Sequence, residues 1–172
     1  GVTVMRMEAG LDTGPMLLTA VTPITREDTG GSLHDRLAEL GPPAVIEAIA
    51  GLAAGTLVGE VQDDSLATYA HKLNKDEARI DWNRPASELE RQIRAFNPWP
   101  ICHTTLNGET MKVLAANVPY LNHEQAPGTI LGASKEGLLV SCGKGALRLT
   151  RLQLPGGKAL NFSDFFNSRR EK

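Results

Sequence analysis

Apolar positions recur with two different periods along this chain, and the period changes near residue 100. Before that point, an apolar stripe with spacings of three and four residues predicts an amphipathic helix over residues 84–97. Its members are Ala86, Leu89, Ile93 and Phe96. Pro85 fits the first turn of this helix, where its missing amide hydrogen costs nothing. The stretch from Glu77 to Pro100 is therefore predicted to open a domain.

Short strands are predicted after the helix, at residues 102–106, 110–118, 129–133, 138–142 and 146–154. Asn107-Gly108 is a strong hairpin signal, because both residues accept the positive φ that a tight turn requires. Further turn signals stand at Pro127-Gly128, Glu136-Gly137 and Gly143-Lys144-Gly145. Strands separated by such regular turns, together with one helix, predict a small β-barrel over residues 77–172.

The last long strand changes the phase of its alternation. Two of its leucines stand at odd positions and two at even positions, so a straight strand could not point all four inward. They are Leu147, Leu149, Leu152 and Leu154. A β-bulge near Thr150-Arg151 is predicted to restore the inward set, and it would turn Arg148 and Arg151 outward together as a basic site.

A loop with two glycines joins two strand-like stretches near the start of the chain. It reads Glu8-Ala9-Gly10-Leu11-Asp12-Thr13-Gly14, between strands predicted at 2–4 and 15–24. Glycine adopts backbone angles that other residues resist. Asp12 is thus a carboxylate presented at strand ends, where α/β enzymes collect their chemistry. The competing interpretation, which the local sequence favours, is that Asp12 only hydrogen-bonds its own turn.

Two helices are predicted after these strands. The first begins at Thr29 or Ser32 and ends at Gly41. The second begins with the two prolines that follow, which fit a first helical turn, and it ends near Gly55. Their apolar residues are predicted to cover one face of a sheet.

Charge changes at the same place as the apolar pattern. Residues 1–76 carry 5 Lys and Arg and 11 Asp and Glu, a net charge of −6, whereas residues 77–172 carry 13 and 9, a net charge of +4. Residues 58–76 are polar and weakly periodic, which indicates a linker. A basic domain joined to an acidic one is typical of a nucleic-acid-binding module on an enzyme, although scattered solvated charges give the same count.

Composition narrows the class of protein. With 172 residues, 41% of them hydrophobic and 22% charged, the chain has the make-up of a soluble globular protein. No apolar run approaches the length of a membrane span. Cys102 and Cys142 stand outside metal-ligand spacing, which favours buried free thiols in a reducing cytoplasm. Because Gly1 opens directly in a strand-like run, the chain is expected to be a fragment of a longer protein.

Six motifs, in this order, resemble those of the bacterial methionyl-tRNA formyltransferases. The resemblance extends over essentially the whole chain, and the order makes it specific, whereas the loop around Asp12 alone is shared by all folate-dependent formyltransferases. The motifs are Gly1-Val2-Thr3-Val4-Met5-Arg6-Met7, Gly10-Leu11-Asp12-Thr13-Gly14, Tyr69-Ala70-His71-Lys72-Leu73, Arg79-Ile80-Asp81-Trp82, Arg94-Ala95-Phe96-Asn97-Pro98-Trp99-Pro100 and Pro127-Gly128-Thr129-Ile130. One departure is Ile101-Cys102, where the family commonly has Gly-Ala.

The resemblance implies a fold and a reaction. The fold is α/β followed by β: the C-terminal part of a Rossmann-like formyltransferase domain over 1–57, a linker over 58–76, and a small OB-like β-barrel domain over 77–172 that contacts tRNA. The reaction transfers a formyl group from 10-formyltetrahydrofolate to the amino group of methionine on initiator Met-tRNA, for translation initiation. The implied enzyme is a cytoplasmic monomer without a metal and without a membrane partner.

The resemblance also assigns roles to residues. The family's catalytic set is an asparagine, a histidine and an aspartate, and only the aspartate has a counterpart here, Asp12. The Asn-x-His-Pro-Ser segment of the family is absent, so the chain alone is expected to be inactive. Asp12 would orient or charge-balance the histidine that stabilises an oxyanion. The folate-lining residues would be Met7, Glu8, Ala9, Gly10 and Leu11.

Basic residues are the candidate contacts to tRNA. They are Lys72, Lys75, Lys144, Arg148, Arg151 and Lys158. Exposed cations need no ligand to explain them, so a solvated surface is the competing interpretation. Arg169, Arg170 and Lys172 form a basic tail, which is as often a solubilising end as a binding site.

Parts of the sequence also fit three other functions. Formyltransferases that act on a nucleotide sugar also carry a barrel after the same catalytic domain, but the basic barrel and the basic tail favour tRNA. Residues 77–172 could by themselves be a non-catalytic RNA-binding module. Asp12-Thr13-Gly14 is also the active-site triplet of aspartic proteases, but those enzymes face two such loops against each other and this sequence has one.

Overall fold

The computed structural model describes residues 1–168. The basic tail predicted at Arg169, Arg170 and Lys172 lies outside the described residues. Within the described part of the chain, no helix combines the length and the apolar character needed to cross a membrane.

The chain divides into two compact units. The first unit holds Gly1–Asp28 and Ser32–Lys72, and the second unit holds Thr29–Gly31 and the chain from Leu73 onward. The domain boundaries predicted at residues 57 and 76 stay predictions.

The first unit contains a two-stranded antiparallel sheet and most of a long helix. β1 (Val2–Met5) pairs with β2 (Met16–Ala20), and α1 spans Gly30–Ala53. β2 is shorter than the predicted strand because it ends before Pro23, which has no amide hydrogen to donate to a ladder. A short 3-10 turn covers Asp64–Leu66.

α1 corrects one prediction. The helix runs unbroken through Pro42 and Pro43, so the predicted end at Gly41 and the predicted second helix are wrong. Proline inside a helix removes an amide donor, but both prolines are exposed, so water solvates the carbonyl groups that lose their partners. Ala44, directly after Pro43, and Ala48, about one turn further on, are both buried.

The apolar side of α1 faces solvent over its second half. Ile46 and Ile49 are 69% and 61% exposed, and Val45 and Leu52 are also exposed. The sheet face that these residues were predicted to cover is not formed by the described strands of the first unit.

The second unit is built on one antiparallel sheet. Its strands are β3 (Cys102–Leu106), β4 (Glu109–Asn117), β5 (Ile130–Ser134), β6 (Gly137–Ser141), β7 (Ala146–Gln153) and β8 (Leu160–Asn161). Their order is β3-β4-β7-β6-β5, and β8 pairs with β7 beyond the end of the β6 ladder. The strands predicted between Cys102 and Leu154 lie within one residue of those observed.

The fold class is confirmed as an α/β unit followed by a sheet-rich unit, but the sheet is open. β3 and β5 are its outer strands, and no ladder joins them within the described residues, so the part of the chain predicted as a small β-barrel has an open sheet. The edge of β3 that does not pair with β4 is covered by residues 79–80. The Ile80 amide donates to the His103 carbonyl at 2.9 Å, and Arg79 forms an isolated β-bridge with His103. The likeness to an OB fold stays a prediction.

Two helices belong to the second unit. α2 (Ala86–Ala95) starts after Pro85, and α3 (Phe162–Ser168) follows β8 directly. The predicted stripe of α2 is confirmed: Leu89 and Ile93 are fully buried against the sheet, and Phe96 is half-buried. Burying one such side chain stabilises a fold by about 1.5–3 kcal/mol.

β7 confirms the predicted phase slip. Its register against β4 shifts between Leu152 and Leu149, on either side of Arg151. Leu147, Leu149 and Leu152 are buried, while Arg151 is exposed. One residue separates Leu147 from Leu149, but two residues separate Leu149 from Leu152, as a β-bulge requires.

Cys102 and Cys142 are free and buried, as predicted. Burial raises the pKa of the Cys102 thiol to about 12 and that of the Cys142 thiol to about 11. Both therefore stay protonated at neutral pH and act as small apolar core residues.

Candidate functional site

The Asp12 loop connects β1 to β2 and is pinned at its base. The Arg6 amide donates to the Pro15 carbonyl at 3.0 Å, which extends the hairpin by one pair beyond the strands. Asp12 has a φ of 54°, in the left-handed region that is uncommon for residues other than glycine. A Cβ on Gly14 would lie 1.7 Å from the Arg6 carbonyl oxygen, so only glycine fits there.

Asp12 is exposed and lies between two concave surfaces of the first unit. One concavity has a volume of about 670 Å³ and is bounded by the Asp12 loop and residues 62–70. The other, of about 360 Å³, lies over the β1–β2 sheet at Thr3 and Met5. Asp12, Met16 and Gln62 line both. The carboxylate can therefore face a ligand in either concavity.

Gln62 is a residue of this site that the sequence did not point out. Its Nε2 donates to the Asp12 carbonyl at 2.8 Å and to the Gly14 carbonyl at 2.6 Å. Its segment lies beside β2, since Met16 and Glu60 exchange two backbone hydrogen bonds of 2.7 and 2.8 Å. Residues 58–76 were predicted to be a linker, but residues between 62 and 70 form part of the wall of the Asp12 site.

The wall beyond Gln62 carries a structured acidic turn. Asp63 Oδ1 accepts from the Ser65 hydroxyl at 2.6 Å and from the Ser65 amide at 2.9 Å. These two donors hold the pKa of the Asp63 carboxyl below its usual range. Asp63 is therefore ionised at neutral pH, and the larger concavity has a negative side opposite the Asp12 loop.

The five predicted folate-lining residues lie together on the Asp12 loop, and all are exposed. Met7 and Leu11 are 84% and 82% exposed. Leu11 lines the larger concavity beside Asp12. A Cβ on Gly10 would lie 2.5 Å from the Thr13 side-chain oxygen, so a glycine keeps the loop narrow here. Their role in binding folate stays a prediction.

The six predicted tRNA contacts do not form one cluster. Lys72 belongs to the first unit, and Lys75 starts a 3-10 turn in the second. Lys144 and Lys158 are exposed in the turns before and after β7, which is eight residues long. At about 3.3 Å per residue they stand roughly 25 Å apart, too far to contact the same phosphate.

Arg148 and Arg151 differ in their surroundings. Arg148 is half-buried, and its Nη1 lies 2.8 Å from Glu136 Oε2. Arg151 is exposed beside Asn161 of β8. An anion would have to compete with Glu136 for Arg148, whereas Arg151 presents its charge to solvent. The assignment of these residues to tRNA stays a prediction.

A polar row on the sheet that includes the basic residues Lys112 and Arg79 was not predicted from the sequence. His103 of β3 stands opposite Lys112 of β4, which in turn stands opposite Gln153 of β7. Directly paired residues project from the same face of a sheet. Arg79 bridges His103 at the edge of this row. The hairpin turn at Asn107-Gly108 contained the missing signal, because it fixes the pairing of His103 with Lys112.

Within residues 1–168, His, Cys, Asp and Glu do not gather in any group of three or more that could hold a metal ion.

Two family models match the chain. The one described as "Formyl transferase, C-terminal domain" matches residues 72–170, more than half of the chain, and the one described as "Formyl transferase" matches residues 1–49. The chain belongs to the formyltransferase family. The Asp12 loop and α1 up to residue 49 fall in the first-domain match, and the whole sheet of the second unit falls in the C-terminal match.

Curated relatives narrow the likeness within the formyltransferase family. The chain is 81% identical over 172 residues to the methionyl-tRNA formyltransferase of Pseudomonas syringae pv. syringae (strain B728a) and 82% identical to that of Pseudomonas fluorescens (strain SBW25). Each alignment covers 100% of this chain and 54% of the relative. The chain thus spans about half the length of the curated relatives it matches.

Two solved structures share the fold. HypX from Aquifex aeolicus in complex with tetrahydrofolic acid superposes with a TM-score of 0.65 at 17% identity, over 96% of this chain and 29% of that one. An N-formyltransferase from Helicobacter canadensis, in complex with folinic acid and dTDP-3-aminofucose, superposes with a TM-score of 0.62 at 18% identity, over 86% and 54%. At such identities the likeness shows the fold alone.

Proposed function

We propose that this chain is the Asp12-bearing and tRNA-binding part of a methionyl-tRNA formyltransferase. The full enzyme would transfer a formyl group from 10-formyltetrahydrofolate to the amino group of methionine on initiator Met-tRNA in the cytoplasm. The observation that carries the proposal is the identity of 81–82% with methionyl-tRNA formyltransferases over all 172 residues. Because these alignments cover the whole chain, they include the Asp12 loop, the wall of the Asp12 site and the sheet of the second unit.

The residues present fit a folate beside Asp12. The stretch from Met7 to Leu11 is exposed, and its last residue, Leu11, lines with Asp12 a concavity of about 670 Å³, which is large enough for a drug-sized ligand. Two structures of the same fold were obtained with tetrahydrofolic acid and with folinic acid. Bound there, 10-formyltetrahydrofolate would supply the reactive formyl carbon next to the carboxylate.

Asp12 is the group of this chain that can handle a proton at the site. The methionine amine must be neutral to attack, and it must lose a proton as the new C–N bond forms. An exposed carboxylate on a fixed loop can accept that proton, or it can hold a histidine from the remainder of the enzyme in its charged form. Either role places Asp12 within hydrogen-bond reach of the reacting groups.

The second unit would hold the tRNA body. Its candidate contacts are the exposed cations Lys144, Arg151 and Lys158, and the row at Lys112 adds a cation to the same sheet. Phosphate contacts of this kind give affinity without reading sequence. Lys72 and Lys75, which lie between Asp63 and α2 in sequence, are the further contacts that we propose.

The test is Asp12→Asn in a full-length enzyme that contains this segment. Turnover should fall at least ~10²-fold, because asparagine has the shape of aspartate but accepts no proton. Affinity for initiator Met-tRNA, measured by filter binding, should change little. Asp35→Asn changes an exposed carboxylate on α1 that lines neither concavity, and it should leave turnover near that of the wild type. Near-normal turnover of Asp12→Asn would reduce Asp12 to a turn residue.

A nucleotide sugar is the alternative acceptor. It is suggested by the fold shared with a sugar N-formyltransferase at 18% identity, but the identity of about 80% to methionyl-tRNA formyltransferases favours Met-tRNA. Formylation of a dTDP-aminosugar in place of Met-tRNA, in the same assay, would reverse this choice.

A further inference from the structure

Gln62 closes the Asp12 loop from outside. Its amide nitrogen carries two hydrogens, and the two short bonds to the Asp12 and Gly14 carbonyls use both of them. These carbonyls lie on either side of Thr13, so one side chain fixes the backbone before and after the turn. The two partners are 50 and 48 residues away in sequence, which makes the contact a tertiary one.

Gln62 is itself held firmly. Two residues before it, the Met16–Glu60 backbone pair attaches the segment to the first residue of β2. Immediately after it, the bonds from Ser65 to Asp63 close a compact turn. The side chain of Gln62 is half-buried between them. A donor held from both sides can orient its acceptors, whereas a mobile surface side chain could not.

The backbone at Asp12 has an unusual conformation. Its φ is positive, which is uncommon for a residue with a Cβ, so contacts from outside the loop help to keep it in place. Its carboxylate is exposed and leaves the same Cα whose carbonyl Gln62 holds. Rotation of the Asp12 peptide would therefore swing the carboxylate away from the concavities that it lines.

We propose that Gln62 is a positioning residue for formyl transfer. Its amide fixes the backbone of Asp12 and Gly14 and so sets the direction of the Asp12 carboxylate, while the chemistry stays with Asp12. The inference rests on the proposed function, because the direction of the carboxylate matters only if Asp12 takes part in the reaction.

The test uses two substitutions at Gln62 in the full-length enzyme. Gln62→Met keeps the length and volume of the side chain but removes both donors, and Gln62→Glu places acceptor oxygens against two carbonyl groups. We expect kcat to fall about tenfold for Gln62→Met and further for Gln62→Glu, because small misplacements of a reacting group cost one to two orders of magnitude. KM for Met-tRNA should stay within about twofold, since no binding contact is removed.

Pairing each change with Asp12→Asn separates positioning from general stability. If Gln62 acts through Asp12, Gln62→Met should lower kcat less than about twofold in the Asp12→Asn background. Val61→Thr is the matched control, because Val61 is the neighbouring residue, 85% exposed, and its kcat should be unchanged. Thermal unfolding of every variant shows whether the fold is kept.

The two ways to fail are distinguishable. An equal loss of kcat from Gln62→Met in both backgrounds, or no loss in either, would overturn the role of Gln62 and leave the proposed function standing. Near-normal kcat of Asp12→Asn alone would overturn the role of Asp12 instead. If Gln62→Met does not fold, Gln62→Asn takes its place; it keeps the donors on a shorter side chain, and the same non-additivity is expected.

Discussion

Asp28 is the carboxylate with the strongest set of partners in the first unit. Its two oxygens accept from Arg36 Nη1 and Nη2 at 2.9 and 2.8 Å, from the Thr25 amide at 2.7 Å and from the Ser32 hydroxyl at 3.1 Å. The side chain is 7% exposed. These hydrogen bonds hold the pKa of Asp28 well below its usual range. The bonds from Arg36 have the largest effect on the pKa, and the bond from the Thr25 amide has the next largest.

Asp28→Asn should therefore remove an acid-sensitive contribution to stability. The unfolded carboxyl titrates near pH 3.9, and the folded one titrates lower, so the native state binds fewer protons between these values. The contribution is complete above about pH 4 and is lost as the pH falls through the folded pKa. In thermal melts of the full-length enzyme, the variant should unfold at lower temperature than the wild type at pH 7, and the gap should narrow below pH 4.

Asp35→Asn provides the control for that comparison. Asp35 lies on α1 next to Arg36, but its side chain is 81% exposed, so the variant should track the wild type at every pH. A gap for Asp28→Asn that stays constant from pH 7 to pH 3 would mean that ionisation of Asp28 does not contribute.

Single residues were predictable only where local sequence carries the signal. Asp12 could be found because its loop forms a contiguous motif, and the two cysteines because their spacing excludes metal ligation. Gln62 could not be found, because its partners lie 50 and 48 residues away and nothing around it is periodic. The ion pair of Arg148 with Glu136 was missed for the same reason: it depends on which strands become neighbours.

The β3–β4 hairpin shows how one turn fixes an element. Asn107 and Gly108 have φ values of 50° and 84°, as the tight turn predicted from their identities requires. The turn sets Leu106 opposite Glu109 and every later pair of this ladder, including Cys102 opposite Val113. The buried and exposed faces of both strands follow from it.

Gly108→Ala should destabilise the second unit by about 1–2 kcal/mol, because a Cβ is disfavoured at this φ even though no atom lies in its way. Gly132→Ala is the matched control: a Cβ there also meets nothing within 4 Å, and its φ is not in the left-handed region. Urea unfolding at 25 °C measures both. Equal effects from the two substitutions would show that φ at residue 108 is not what matters.

Elements were predicted well where turn residues mark their ends. The strands of the second unit were located by their turns, and the phase of the four leucines in β7 located its irregularity. α1 was mispredicted because Gly41 followed by two prolines is a strong stop signal in isolation. Two exposed prolines in a helix of 24 residues are tolerated when the turns on both sides continue to form.

The molecule as a whole carries its charge unevenly, and ion pairing alters what that charge can do. Residues 77–172 have a net charge of +4, but Arg94 and Arg148 are paired with Glu90 and Glu136. The charge that can meet a phosphate backbone is therefore borne by exposed side chains such as Arg151. The sign of the surface was predictable from composition, but its distribution depends on strand order.

Binding of initiator Met-tRNA to the full-length enzyme should weaken with salt. We expect a slope of log affinity against log salt of about −2 to −4, as a few phosphate contacts give. Arg151→Gln should reduce its magnitude by about 1, whereas Arg94→Gln should leave it unchanged because Arg94 is paired with Glu90 on α2. A flat salt response would sink the assignment of the second unit to tRNA.

The crowding of Gly14 against the Arg6 carbonyl has a consequence for drug resistance. No residue with a Cβ fits at this position, so any substitution of Gly14 would disrupt the conformation of the loop. An inhibitor held by the backbone of the Asp12 loop would contact atoms that escape mutations cannot alter. One held by the exposed side chains of Met7 and Leu11 would be defeated by a single change that leaves the fold intact.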